Sequence, residues 1–322
     1  MNIPAHDVFI ETKNLSKHFN LGHGNILHAV DEVSIQIANG ETLGLVGESG
    51  CGKSTLGRVL ARMYEQTSGH YALRGSEVPN KLSFAERKKF AREVQMIFQD
   101  PFASLNPRMT VGDIISEGPD IQGMWKGSEK RERVNYWLNR VGLRPEHAAR
   151  FPHEFSGGQK QRIGIARALA IEPRFIVCDE PISALDVSIQ AQVVNLLQEL
   201  QNEFHLTYLF IAHGLHMVRY ISNRMAVMYL GRVVELGPSK EVFEKPLHPY
   251  SAALISANPY PDPNRERSRT HQLLTGEITS PVNPKPGCRF AARCPIAQER
   301  CRQETPLLRE VEANRFVACH LR

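Results

Sequence analysis

Short apolar runs bounded by turn formers recur along the chain. Thr42-Leu43-Gly44-Leu45-Val46, Val94-Gln95-Met96-Ile97-Phe98, Phe175-Ile176-Val177-Cys178 and Thr207 to Ala212 read as buried strands. The intervening stretches carry apolar residues three and four apart. Met109 to about Leu143 predicts helix interrupted near Gly123, with Val134, Trp137, Leu138 and Val141 on one apolar face. Gly157 to Ala170 predicts a helix that buries Ile163, Ala166, Ala168 and Leu169, and Val187 to Phe204 predicts a longer one. Val8 to Phe19 reads as an edge strand, and Val33 to Ile37 as another, ended by the Asn39-Gly40 turn. Tyr71-Ala72-Leu73, after Ser68-Gly69, predicts a hairpin strand, and Phe84 to Phe90 a short charged helix. Met225 to Tyr229 and Arg232 to Leu236 predict a hairpin across Leu230-Gly231. Strands alternating with helices imply an α/β core with a parallel sheet.

This texture ends near Lys245. Pro259-Tyr260-Pro261-Asp262-Pro263 and the polar run Asn264 to Thr270 have no period and read as a linker or an extended wrap. Leu273 to Arg322 is too short to bury much of a core and needs a staple or a docking surface. Four of the six cysteines crowd the last 35 residues, which marks the tail as a separate unit.

The 322 residues suffice for one large domain and a smaller one, and 42% of them are hydrophobic, as in ordinary soluble cores. The longest apolar runs, such as Leu206 to Ala212, fall well short of a membrane span. The start MNIPAHDVF lacks the pattern of a signal peptide. A cytoplasmic location is expected unless a partner brings the chain to a membrane. The formal net charge is +5, but the basic runs Glu86-Arg87-Lys88-Lys89 and Lys130-Arg131-Glu132-Arg133 carry interspersed acids. They read as solvated helix faces, and no nucleic-acid partner is expected.

The chemistry begins at GESGCGKST, residues 47–55, which fits G-x-x-x-x-G-K-S/T directly after a predicted strand and before a predicted helix. Gly47, Gly50 and Gly52 let the backbone curl so that N–H groups, including those of Glu48, Ser49 and Cys51, can face phosphate oxygens. Lys53 can reach the β- and γ-phosphates. Ser54, followed by Thr55, can offer its hydroxyl to Mg²⁺, and the helix N-terminus adds a favourable field. A structural turn would explain the glycines but not the Lys-Ser pair. Farther on, the strand ending at Cys178 delivers Asp179, placed to hold Mg²⁺ directly or through water, and Glu180, placed to orient or deprotonate an attacking water. Ser156-Gly157-Gly158, followed by Gln159, opens a helix with little side-chain bulk and would suit a second anion.

FSGGQKQRIGIARAL at 155–169 resembles the signature motif of ABC-transporter ATPases. With GESGCGKST, VCDEP at 177–181, SALD at 183–186 and His213, the ordered set of that family is present over about residues 8–245. The resemblance implies a P-loop NTPase fold of the ABC type, with a helical subdomain inserted at about 108–170. It implies ATP and Mg²⁺, each ATP held between the phosphate loop of one subunit and the signature residues Ser156, Gly157, Gly158 and Gln159 of another. It also implies that Gln99 links Mg²⁺ and water to the permease contact and that His213 meets the γ-phosphate. Asp186 would communicate across the dimer, and Phe19 would stack on adenine; on sequence alone Phe19 reads equally as a core aromatic. Two positions depart from the pattern. Phe155 replaces the usual leucine, and Gly214 stands where an aspartate usually follows the histidine. His216 reads as a surface or helix residue rather than a replacement.

A narrower resemblance covers the rest. IFQDPFASLNPRMTVGDII at 97–115, PLHPYSAALISANP at 246–259 and LTGEITSPVNPKPGCRFAARCPIA at 274–297 are similar to the oligopeptide and dipeptide importer ATPases, most of all their second, F-type subunit. The chain then divides into an ATPase domain, 1–245, and an importer-type extension, 246–322. The implied partners are a second homologous ATPase in a heterodimer, two transmembrane permeases and, indirectly, a solute-binding protein, at the cytoplasmic face of the inner membrane. Nickel and other small-solute importers share this tail, and a soluble ABC ATPase is the other alternative. Residues 100–108, with the helices up to Leu143, are expected to form a groove for a permease helix.

Cys288, Cys294, Cys301 and Cys319 are spaced C-x₅-C-x₆-C-x₁₇-C. Four thiolates suit zinc or an iron–sulfur cluster, and disulfides are not expected in a reducing compartment. The spacings are wider than zinc knuckles favour, and some importer ATPases carry a four-iron ([4Fe–4S]) cluster at matching cysteines. Reduced thiols stay open as a third reading. Arg289, Arg293, Arg300 and Arg302 are expected to offset an anionic cluster.

Overall fold

The computed structural model describes residues 7–258 and 279–322. The linker expected at 259–270 and the start of the tail at Leu273 lie outside the described residues. The chain forms two compact units, one within Met1–Asn80 and His213–Arg322, the other Lys81–Ala212.

The first unit opens with β1 (Val8–Gly22), β2 (Asn25–Val33) and β3 (Gln36–Ala38). β4 (Thr42–Val46) and α1 (Lys53–Leu60) follow, then β5 (Ser68–Leu73) and β6 (Ser76–Glu77). β1 is not an edge strand. Successive stretches of it pair antiparallel with β3 and β2, and it also pairs with β5, beyond which lies β6. The polar mixture in β2 (Asn25, His28, Asp31, Glu32) hides this neighbour from a hydrophobic pattern. The single strand predicted over Val33 to Ile37 is broken. The buried Thr12 hydroxyl donates to the Val33 carbonyl (3.1 Å) and accepts from the Ile35 N–H (3.0 Å), serving backbone groups at the break. The hairpin predicted around Tyr71 is present as β5 and β6.

The second unit contains α2 (Phe84–Glu93), β7 (Val94–Ile97), α3 (Pro101–Ser104), α4 (Val111–Gln122) and α5 (Ser128–Arg140). α6 (Gly157–Leu169), β8 (Phe175–Asp179), α7 (Val187–Phe204) and β9 (Thr207–Ile211) complete it. Its strands are parallel, with β8 between β7 and β9. The expected break near Gly123 is real: Gly123 caps α4 in the left-handed conformation. Val134, Trp137, Leu138 and Val141 are buried as the period predicts, Trp137 against Phe204 with ring centroids 5.5 Å apart.

The chain then returns to the first unit with α8 (Leu215–Ile221), β10 (Arg224–Tyr229), β11 (Arg232–Pro238), α9 (Ser239–Glu244) and α10 (Pro249–Ser256). β10 lies parallel to β4 and forms the predicted hairpin with β11. Residues 279–322 contain β12 (Arg309–Glu312) and β13 (Arg315–Val317), and β13 adds to β11. Residues 281–283 of the tail dock on β2. Pro281 and Asn283 exchange main-chain hydrogen bonds with His28 (3.0 Å) and Ile26 (2.9 Å). Buried Glu235 ties the region together by accepting from the Leu247 and His248 N–H groups, both at 2.9 Å, and from Arg315 at 3.2 Å. Packing thus places the described tail in the same unit as the phosphate loop. A tail that cannot bury a core of its own takes one from β2 and β11.

His248 caps α10 through its Nδ1, which accepts the Tyr250 N–H at 3.0 Å. Burial, with the Arg322 charge, pushes its pKa from 6.5 down to about 3. The folded chain therefore keeps it neutral while an unfolded chain protonates it. Stability from this source is complete above pH 6.5 and is lost as pH falls toward 3. His248→Asn keeps a capping acceptor without the titration, so its melting temperature should fall less between pH 7 and pH 5 than that of the wild type. Parallel pH profiles of the two melting curves would contradict this.

Candidate functional site

β4 is buried along its whole length and carries the chain into the loop Gly47–Thr55. Gly52 closes the loop as the N-cap of α1, at φ 106°. A Cβ there would strike the Ala29 carbonyl and stand 2.9 Å from Met228 Cε, so only glycine fits. Lys53 is 4% exposed, and its ammonium donates to the Gly47 and Glu48 carbonyls, both at 2.9 Å. It also approaches Cys51 Sγ at 3.8 Å. An ammonium aimed by two carbonyls at the loop favours an anion at its mouth. Ser49 and Gly50 are exposed at that mouth, and Ser54 and Thr55 are half-exposed behind it. Burial raises the Cys51 thiol pKa, against the pull of Lys53.

Glu48 is fixed by Tyr250, a residue not expected at the site, and by Arg293, expected instead beside the cysteines. Its N–H donates to Tyr250 Oη at 2.9 Å. Its carboxylate takes a two-pronged ion pair from Arg293, at 2.9 and 3.0 Å. Phe19 is half-exposed and meets Tyr64 edge-on at 5.6 Å, with Lys17 4.9 Å from its ring centre. His213 and Gly214 are exposed ahead of α8. Gly214 has φ −76°, and a Cβ there would meet only Met217 Cγ at 3.8 Å. The backbone therefore does not require glycine, and an aspartate would fit. His216 is half-buried and packs on Phe243, with centroids 5.2 Å apart.

In the second unit, β8 ends at Asp179, which is 1% exposed. Glu180 follows in the left-handed region at φ 47° and is 6% exposed. Its Oε2 accepts from Gln99 Nε2 at 2.7 Å, its N–H donates to the Ile211 carbonyl at 2.9 Å, and its carbonyl accepts from Ser183 Oγ at 3.1 Å. Strain at a non-glycine residue, held by neighbours on three sides, is a mark of functional positions. Ser156 and Gln159 form a reciprocal capping box at the start of α6. A Cβ at Gly158 would stand 2.6 Å from Ile189 on α7, so that glycine serves packing. At Gly157 it would meet only Leu185 at 3.6 Å, which leaves the helix end open to approach. Asp186 is the N-cap residue of α7, without a side-chain cap bond. Phe102 is 58% exposed with Lys160 3.9 Å over its ring, whereas Leu105 is only 2% exposed and belongs to the core rather than to a groove.

Cys288, Cys294, Cys301 and Cys319 are all free thiols, and Cys319 lies near enough to Cys288 to help raise its pKa. Burial first, then the neighbouring thiols, pushes Cys288 up to about 11. No three of these sulfurs lie within 4.8 Å of one another. Tetrahedral zinc, with Zn–S near 2.3 Å, would need sulfurs about 3.8 Å apart. The role expected of three of the four arginines needs correction. Arg289 donates to Asp31 at 2.5 Å, Arg293 is committed to Glu48, and Arg300 pairs with Glu304 at 2.8 Å. Among the described residues, the His/Cys/Asp/Glu group compact enough for a single ion is His18, His28 and Asp31. Asp31 there already accepts from both imidazoles, at 3.0 and 3.2 Å, and from Arg232 and Arg289, so the group is a closed ion-pair network.

Residues 30–183 match the ABC transporter family, and residues 234–301 match the oligopeptide/dipeptide transporter C-terminal region. The oligopeptide transport ATP-binding protein AppF of Bacillus subtilis is 48% identical over 327 residues, covering 100% of this chain and 99% of that one. The OppF protein of Escherichia coli, with the same description, is 52% identical over 310 residues, covering 94% of this chain and 92% of that one. Among solved structures, the MJ0796 ATP-binding cassette, a dimer bound to ADP and Pi, superimposes with TM-score 0.65 at 28% identity. It covers 71% of this chain and 98% of its own. The cbiO1 cassette of Clostridium perfringens matches with TM-score 0.65 at 29% identity, covering 74% of this chain and 92% of its own.

Proposed function

The chain belongs to the ATP-binding subunits of oligopeptide ABC transporters, with the P-loop ATPase fold of that family, and from this premise we propose that it powers peptide import. The observation that carries this is the pairing of an ATP-binding cassette with the oligopeptide-type C-terminal region, shared over nearly the full length of the OppF and AppF relatives. ATP with Mg²⁺ is the energy source. Residues 47–55 cradle the phosphates and Lys53 faces the β- and γ-oxygens. Ser54 in the first unit, and Gln99 and Asp179 in the second, would offer oxygens to Mg²⁺, whose charge would offset that of the phosphates. Glu180 orients the attacking water and takes its proton, and His213 contacts the γ-phosphate. Phe19 stacks on adenine. Ser156 to Gln159 serve a nucleotide held by a second, homologous ATPase subunit, through the open helix end at Gly157.

Residues 1–245 act as the ATPase domain, with about 108–170 as its helical subdomain, and 246–322 as the importer-type extension. No helix among the described residues is long and apolar enough to cross a membrane. Two permeases supply the spanning part of the assembly and hold the chain at the cytoplasmic face, with exposed Phe102 in the permease contact. The four cysteines would serve as the thiolate ligands of a four-iron cluster, which takes four of them.

Anaerobic affinity purification of the tagged chain from membranes tests this assembly. We expect a second ATPase and two permeases to co-purify, with about four irons per chain. A chain that purifies alone from intact membranes would contradict the transporter reading. A complete complex without iron would contradict only the cluster.

A further inference from the structure

We propose that Arg293, together with Tyr250, is a positioning device for the phosphate loop, so that the C-terminal segment sets the loop's affinity for ATP. This rests on the ATP-binding reading above and adds residues outside its motif.

Glu48, the loop's second residue, is held at three points. Its N–H is bound by Tyr250 Oη and its carboxylate by both prongs of Arg293, while its carbonyl receives the Lys53 ammonium. Two of these three holds come from beyond residue 245. Fixing Glu48 therefore fixes one of the two carbonyls that aim Lys53. The arginine is itself anchored. Its side chain is 9% exposed, its N–H donates to the Phe290 carbonyl at 3.0 Å, and its guanidinium lies 5.9 Å from the Tyr229 ring centre. Phe290 meets Tyr229 and Tyr250 at centroid distances of 5.3 and 5.5 Å, and Tyr250 is fully buried. A guanidinium so placed is a fixed strut rather than a mobile surface charge. Tyr229 ends β10, and the carbonyl of Met228 just before it is what a Cβ on Gly47 would strike. The aromatic cluster, the arginine and the loop thus form one packed group within the first unit.

The test uses the full-length chain, a fluorescent ATP analogue for affinity, steady-state ATPase kinetics and thermal unfolding. Arg293→Ala should raise Kd and KM for ATP about tenfold, with kcat moving much less, because a charged two-pronged hold on the loop is lost. Arg293→Lys should fall between, since one ammonium cannot hold both carboxylate oxygens in the same way. Glu48→Gln combined with Arg293→Ala should weaken binding no further than either change alone, as expected for one shared interaction. The proposal is overturned if Arg293→Ala binds ATP like the wild type. It is also overturned if the two changes add, or if affinity falls only in step with the folded fraction. Failure of the wild type to bind ATP would instead strike the nucleotide reading itself.

Discussion

Replacing Glu180 with glutamine should leave ATP binding nearly intact and slow hydrolysis about a hundred- to thousandfold, the range for losing a positioned general base. The substitution is close to isosteric. Its amide oxygen can still accept from Gln99, which stands 2.7 Å from the carboxylate, and the left-handed backbone at this residue is unaffected by the change. What disappears is the group that takes the proton from water. Hydrolysis would stall after binding, and ATP should then trap the chain in a complex with its partner ATPase. Single-turnover hydrolysis and gel filtration with ATP check both halves. Hydrolysis within threefold of the wild type would remove Glu180 from the chemistry.

Lys53→Ala should act one step earlier. Its ammonium is the buried positive charge of the loop, held 2.9 Å from the Gly47 and Glu48 carbonyls. Bound phosphate would draw it outward and gain charge-assisted hydrogen bonds. Their loss should weaken ATP binding about a hundredfold or more. Titration with a fluorescent ATP analogue separates this variant from Glu180→Gln, which should bind normally. Equal affinities for wild type and Lys53→Ala would contradict the role given to the loop.

Much of this was legible because the decisive signals are local. A glycine that must adopt positive φ, a lysine after it and a strand before it announce the phosphate loop, and Gly52 meets that demand. The helices α5 and α7 follow from their periods, since each buries a stripe of residues three and four apart. β2 was hidden because its strand mixes Asn25, His28, Asp31 and Glu32 with apolar residues, and their partners lie far away in sequence, at Arg232, Arg289 and Asn283. The break between β2 and β3 was also invisible, since it depends on a Thr12 hydroxyl some twenty residues earlier. The arginines near the cysteines illustrate the same limit. Adjacency suggested that they face a cluster, whereas folding sends Arg289 to Asp31 and Arg293 to Glu48. Sequence proximity names candidate partners, and only tertiary packing selects among them.

The central claim is that ATP hydrolysis by this chain powers peptide import. Uptake of a labelled oligopeptide by cells lacking the chain, and by the same cells supplied with wild type, Glu180→Gln or Lys53→Ala, tests it most directly. The account predicts that uptake is lost on deletion, returns with the wild type and stays absent with both variants, while nickel uptake is unaffected throughout. Peptide uptake that survives deletion, or that returns with Glu180→Gln, would contradict it.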